Sequence, residues 1–275
     1  MRKYLRFPGF KSKAVTLSYD DGQITDRKLV EILVKHGMKG TFNLVSGCMT
    51  GDSPKHIGVE EAKALYLKNG MEIAVHGETH GFWVREPEID GILDVINDRK
   101  NHERNFGIIV RGMAYPNGSN SISNELVKDM AKIGLAYGRA TTSTHRFDLP
   151  ENWFCFSPTC HHNDEKLDEL VDIFLKKNPD CDYYKYPALF YLWGHSYEFN
   201  NDNNWETIEK FCKQVSNRQD TWYATNIEIC DYVNASRKLV YNVENTKVYN
   251  PTAIDIYMSF DGKKVVIPTG KTIEI

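Results

Sequence analysis

The sequence predicts an α/β barrel of about seven βα units followed by a short C-terminal β extension. Short apolar runs alternate with amphipathic stretches over residues 13 to 238, which is the pattern of repeated βα units around a parallel sheet. A length of 275 residues suits one barrel that does not divide further. The most reactive polar residues come directly after the apolar runs, where a parallel barrel gathers its strand ends on one rim.

The first strand is expected over Ala14 to Tyr19, followed by a helix from about Thr25 whose Leu29, Val30, Leu33 and Val34 share one face. His36-Gly37 ends that helix, since Gly37 can adopt the left-handed conformation of a helix stop. Further strands are expected at Gly40 to Val45, Glu72 to Val75, Ile108 to Ala114, Leu135 to Arg139, Ala188 to Trp193 and Trp222 to Thr225. Helices fit between them at Val59 to Asn69, Pro87 to Phe106, Ser123 to Ile133, Asp164 to Lys177, Asn204 to Ser216 and Asn226 to Ser236. Ala140 to Asn163 breaks the rhythm and reads as a long loop of the functional kind. Beyond Lys238 the period shortens to alternating strands, Lys247 to Tyr249, Ala253 to Phe260, Lys264 to Ile267 and Thr272 to Ile275, with Asp261-Gly262 as a hairpin turn. The expected division is therefore a barrel over 1–238 and a β extension over 239–275. The extension is too small to fold alone and should pack on the barrel or on a partner subunit, so a homo-oligomer stays open.

A content of 41% hydrophobic and 26% charged residues supports a large core, and a net charge of -3 without a Lys/Arg run points away from nucleic acid and membrane surfaces. A neutral substrate fits better. The basic start, Met1 to Pro8, lacks the apolar stretch of a signal peptide, so a soluble, cytoplasmic protein is the expectation. The six cysteines are scattered and read as reduced thiols.

The chemistry concentrates at four strand ends. Asp20 and Asp21 follow the first strand, His76 and His80 the third, Tyr115-Pro116-Asn117-Gly118 the fourth and Gly194-His195 the sixth. Two histidines and a carboxylate form a common set for a hydrolytic metal, because they leave coordination positions for water and substrate. Gly77, directly after an apolar strand, favours a loop over a regular helix for His76 to His80. Adjacent side chains at a strand end point in different directions, so one carboxylate of the Asp20-Asp21 pair can bind metal while the other faces a water; Asp-Asp-Gly is also ordinary turn chemistry. His195 is placed to give a proton to a leaving group. Trp153, Trp193 and Tyr197 offer flat faces to a substrate, and the loop Cys155 to His162 is expected to wall the cleft, with His162 as a substrate contact, in preference to holding a second zinc.

Ser18-Tyr19-Asp20-Asp21-Gly22 resembles the Thr-Phe-Asp-Asp-Gly motif of the polysaccharide deacetylases, the NodB-like group of carbohydrate esterase family four, and His76 to His80 resembles its His-x-x-x-His motif. The resemblance runs over roughly Lys13 to Ala235 and implies a distorted (β/α) barrel with fewer than eight units. It implies Asp20 as catalytic base, Asp21, His76 and His80 as ligands of one divalent metal, His195 as acid, and the Asn117 backbone N–H as oxyanion donor beside Tyr115. Zinc is the expected ion, with Co, Ni, Mn or Fe as alternatives. The implied activity is hydrolysis of an N- or O-acetyl group on a sugar or oligosaccharide. The alternatives are a non-catalytic carbohydrate-binding barrel and a non-haem iron oxygenase built on the same two-histidine, one-carboxylate set.

The sequence departs from the family pattern at three places. Ala114 replaces the arginine that pairs with the base, Asn117 replaces an aromatic, and only Asp148 and Trp153 echo the Asp/Trp motif. The chain is thus expected in a divergent branch. Without an arginine partner the Asp20 pKa should be higher, unless Arg139, Arg146 or a histidine of the Ala140 to Asn163 loop supplies the charge.

Overall fold

The computed structural model describes residues 2–85, 87–118, 123–181 and 186–275. Its strands in chain order are β1 (Lys3–Arg6), β2 (Lys13–Asp21), β3 (Thr41–Leu44), β4 (Glu72–Val75), β5 (Gly112–Ala114), β6 (Tyr137–Arg139), β7 (Cys160–His161), β8 (Ala188–Gly194), β9 (Thr221–Tyr223), β10 (Val240–Tyr241), β11 (Lys247–Tyr249), β12 (Ile256–Phe260), β13 (Lys263–Ile267) and β14 (Thr272–Glu274). The helices are α1 (Asp26–Lys35), α2 (Val59–Leu65), α3 (Glu88–Phe106), α4 (Asn124–Lys132), α5 (Leu167–Lys176), α6 (Ser196–Asn201), α7 (Trp205–Val215) and α8 (Asn226–Arg237). No helix among the described residues is long and apolar enough to cross a membrane.

The main sheet is parallel, in the order β6-β5-β4-β3-β2-β8-β7, and β9 shares one edge of β2 with β3. It curls into the distorted (β/α) barrel that the sequence predicts. The centre is β2, buried along almost its whole length. Its Val15, Leu17 and Tyr19 pack outward with Leu29, Val30 and Leu33 of α1 and Val171 and Phe174 of α5. From Thr16 onward the alternate residues, Thr16, Ser18 and Asp20, are polar and face the other side of the strand, as its two-residue period requires. Thr16 donates to Asn226 Oδ1 at 2.8 Å, and Asn226 Nδ2 donates to the Tyr191 hydroxyl at 2.7 Å. Asn43 Nδ2 donates to both Ser18 Oγ and Asp20 Oδ1 at 2.8 Å. These hydrogen bonds run along a buried polar column that ends at the rim with Asp20.

The gap between β6 and β8 is spanned by the stretch expected to be a loop. Phe156 N donates to Gly138 O at 3.0 Å, Ala140 N to Phe156 O at 3.1 Å, and Thr159 N to Tyr191 O at 2.8 Å, so part of the segment is ladder-like and closes the barrel. β7 is a strand that the sequence reading missed; its two residues are too few to show a period.

Asp261 and Gly262 both have positive φ, 47° and 92°, as a two-residue hairpin turn requires, and they join β12 to β13. β12 also pairs antiparallel with β1, an N-terminal strand absent from the sequence reading. The Tyr232 hydroxyl of α8 donates to Arg6 O at 2.5 Å and accepts Tyr257 N–H at 3.0 Å, tying α8 to β1 and β12. The expected strand over Ile108 to Ala114 is only Gly112–Ala114, because the chain leaves α3 through Gly107 at φ 68° and Ile109 stays in solvent.

Candidate active site

The C-terminal ends of β2, β4, β5 and β8 meet at a cleft of about 520 Å³ that contains Asp20, Asp21, His76, His80, Tyr115, Asn117, Trp193, His195 and Tyr197. Gly118 and Thr141 complete its lining. Asp20 and Asp21 are the last two residues of β2 rather than a turn after it. On a regular strand they would face opposite sides; Asp21, at φ 77°, is turned so that both carboxylates line the cleft. His80 at φ 57° and Asn117 at φ 59° are likewise left-handed. Three non-glycine residues in this strained region on one rim mark a site whose backbone is held by its surroundings.

Asp21, His76 and His80 form a set with ligand geometry. The Nε2 atoms of both histidines lie 3.6 Å from Asp21 Oδ1, close to the edge of a tetrahedron with bonds of about 2.0–2.1 Å. Asp21 Oδ1 is buried with no hydrogen-bond partner among the described residues, which fits an acceptor intended for a cation. His76 Nδ1 lies 2.9 Å from the Ala114 carbonyl; a carbonyl there requires the proton on Nδ1 and leaves the Nε2 lone pair facing the cleft. Burial lowers the His76 pKa, against the pull of Asp20 and Asp21, so the ring is neutral and able to ligate.

α3 holds the loop from His76 to His80 with two carboxylates one turn apart. Asp98 accepts His76 N–H at 2.9 Å and Ser46 N–H at 2.8 Å. Asp94 accepts Thr79 N–H and Oγ1–H at 2.9 Å and the Trp83 indole N–H at 3.0 Å. Neither aspartate was singled out in the sequence, because a helical Asp looks the same whether it meets solvent or a loop.

Asp20 stands beside this set, its Oδ2 3.7 Å from His76 Nε2 and 3.8 Å from His195 Nε2. Its partner is Arg139, at the end of β6, whose Nη2 donates to Oδ2. Burial alone would raise the Asp20 pKa, but the charge of Arg139 and the hydrogen bond that it donates hold it well below the carboxylate range. Of the candidates that the sequence left open, Arg139 supplies the charge, so the upward shift expected without a partner does not arise: the missing arginine is replaced from the next strand, which runs beside β5 with Ala114 opposite Arg139. Arg111 instead pairs with Asp231 at 2.5 Å. Replacing Arg139 by Met should raise the acidic limb of the kcat/KM pH profile by about 1–3 units. Arg111→Ala should leave the limb in place, and an unshifted profile in folded, metal-loaded Arg139→Met would remove Arg139 from this role.

Two expected substrate contacts lie elsewhere. Trp153 is buried in the lower core, against Phe156 at 5.0 Å, with its indole N–H donated to Asn234 Oδ1. His162 is fully buried behind β8, stacked between Tyr19 and Phe199 at 5.8 and 4.1 Å. The loop containing them closes the barrel and gives the cleft only Thr141 among the described residues. Tyr115 is buried, its hydroxyl donated to Phe154 O at 3.0 Å, so its place is to fix the rim. A larger concavity of about 730 Å³ lies on the far side of that loop, against Leu189 and Tyr191, and none of the metal-ligating clusters found among the described residues lies there.

Residues 8–138 match the family model for polysaccharide deacetylase, which bears out the resemblance read from the two motifs. No curated protein matches the chain in sequence. Among solved structures, a Mycobacterium smegmatis chain described as a polysaccharide deacetylase aligns over 85% of this chain and 94% of its own, with 17% identity and a TM-score of 0.60. The Xyl-CE4 domain of a multidomain xylanase from the hindgut metagenome of Trinervitermes trinervoides aligns over 82% and 92%, with 15% identity and a TM-score of 0.56. A family 4 carbohydrate esterase from Streptomyces lividans, solved with acetate, aligns over 78% and 93%, with 14% identity and a TM-score of 0.52. These neighbours share the distorted barrel.

Proposed function

We propose that this chain, matched to the polysaccharide deacetylases over residues 8–138, is a metal-dependent hydrolase that removes an N- or O-acetyl group from a carbohydrate. The observation that carries the reading is the convergence of Asp21, His76 and His80 with Asp20 and His195 in one cleft. A divalent ion held by the three ligands would polarise the acetyl carbonyl and acidify water. Asp20, ionised beside Arg139, accepts the proton of the attacking water. His195 supplies a proton from Nε2 to the departing nitrogen or oxygen. The Asn117 backbone N–H supports the charge that develops on the carbonyl oxygen. Trp193 and Tyr197, both in the cleft wall, give the sugar ring apolar faces.

An oxygenase would have no use for a carboxylate ion-paired to a buried arginine beside the ligand set, nor a binding module for a complete base and acid. The deciding experiment is an acetate-release screen over N- and O-acetylated oligosaccharides, with metal content measured on the same sample. Release that stops on chelation and returns with metal is the expected result. No release from any acetylated sugar by metal-loaded protein would overturn the proposal.

A further inference from the structure

Asn117, which stands where the family pattern has an aromatic, offers the cleft more than a backbone N–H. Gly118 N donates to Tyr115 O at 3.1 Å, so Tyr115-Pro116-Asn117-Gly118 is a hydrogen-bonded β-turn with Asn117 third, at φ 59°. Proline second and asparagine third at positive φ is the pattern of a type II turn. Asparagine is one of the few side chains that visits this left-handed region readily. The turn closes through the N–H of its fourth residue, which leaves the Asn117 N–H outside the turn's own bond, on a residue that lines the cleft.

The Asn117 side chain reaches the loop that carries His76 and His80. Its Nδ2 donates to Gly81 O, directly after His80, at 3.1 Å. On the other side of His80, Thr79 N–H is held by Asp94 at 2.9 Å. His80, itself left-handed at φ 57°, is thus bracketed by two hydrogen bonds, one from the α3 side and one from the turn. The same end of β5 meets the other histidine, since Ala114 O lies 2.9 Å from His76 Nδ1. Residues 114–117 therefore support both histidines. Exchange of the aromatic for asparagine replaces a ring face by a tie between turn and loop.

We propose that the Asn117 carboxamide is a positioning residue that fixes His80 relative to the Asn117 backbone N–H, and so sets the gap in which the acetyl carbonyl oxygen sits. This rests on the reading of His80 as a metal ligand and of that N–H as the oxyanion donor. An oxyanion donor works only within about 2.7–3.1 Å of the oxygen, so a donor and an ion that act on one oxygen must keep a fixed separation. The rival is a stitch between two loops that adds stability alone.

The test is Asn117→Gly on the full chain. Glycine accepts the left-handed backbone and keeps the N–H, so only the side-chain tie is lost. Zinc affinity, measured by competition with a chelator, should fall about 2- to 10-fold, the net effect of one hydrogen bond, with one equivalent still bound. The absorption bands of the Co(II)-loaded protein should change as His80 loses its bracket. On an acetylated sugar kcat should fall about 10- to 100-fold with KM within about twofold, because a displaced donor weakens the transition state and not the ground state. That is less than the about 10²- to 10³-fold loss on removing such a donor outright. Should Asn117→Gly fail to fold, Asn117→Ala, which also keeps the N–H and lacks the carboxamide, should give the same split.

A lower Tm with zinc affinity, Co(II) spectrum and kcat unchanged, assayed well below that Tm, would reduce Asn117 to a stitch and overturn the proposal. So would an equal rise in KM and fall in kcat/KM at constant kcat, which is the mark of lost substrate binding. If the parent releases no acetate from any sugar, the deacetylase reading fails by itself, while zinc affinity and the Co(II) spectrum still decide whether the Asn117 side chain fixes His80.

Discussion

Replacing Asp20 by Asn is expected to leave one metal equivalent bound and to lower kcat/KM by about 10²- to 10⁴-fold, the range for loss of a general base. The amide keeps the shape of the group and the Asn43 contact, but it cannot take a proton from water. It also leaves the fully buried Arg139 without a counter-charge. Breaking a buried ion pair from one side costs about 3–5 kcal/mol, so a fall in Tm should accompany the loss of turnover. The two effects separate by temperature: assayed well below its Tm, folded Asp20→Asn should remain inactive. Turnover within about twofold of the parent there would take Asp20 out of the mechanism.

His76→Ala or His80→Ala should abolish stoichiometric binding of the divalent ion and, with it, acetate release. The two variants should differ in stability. His76 is almost fully buried and donates from Nδ1 to a β5 carbonyl, whereas the His80 side chain is 35% exposed on the loop tied to Asp94. His76→Ala therefore leaves a buried acceptor without its donor, at about 1–3 kcal/mol, and His80→Ala should cost little. Metal titration by calorimetry on the purified variants, beside their thermal melts, checks both statements. Full metal occupancy in either variant would mean that the site is misplaced.

Much of this centre could be read from the chain because its signals are local. Asp20-Asp21-Gly22 and His76 to His80 each lie within a few residues, directly after apolar runs whose strand character is plain. Glu72 to Val75 was expected with the bounds that the structure has, and the helices agree within a few residues, since their apolar faces repeat at helical spacing. The errors fall where the determining contact is distant. Trp153 and His162 had the residue types of a sugar site, but one fills the lower core and the other the back of β8. His195-x-x-Glu198 has the spacing of an N-cap and the third helical residue, a signal passed over because no helix was expected at Ser196–Asn201.

What the sequence by itself determined is the alternation that makes the barrel, the strand-end residues that the proposal takes as ligands and base, and the rim on which they assemble, because strand period and strand-end placement are properties of contiguous residues. Only the tertiary structure decided which cation neutralises Asp20, that Asp21 turns back to face the same cleft, and that the Asn117 side chain meets Gly81. Arg139 is 119 residues from Asp20 in the chain, and β1 pairs with a strand about 250 residues later. Such partners are chosen by the lateral order and curl of the sheet, which side-chain periodicity along any one strand does not encode.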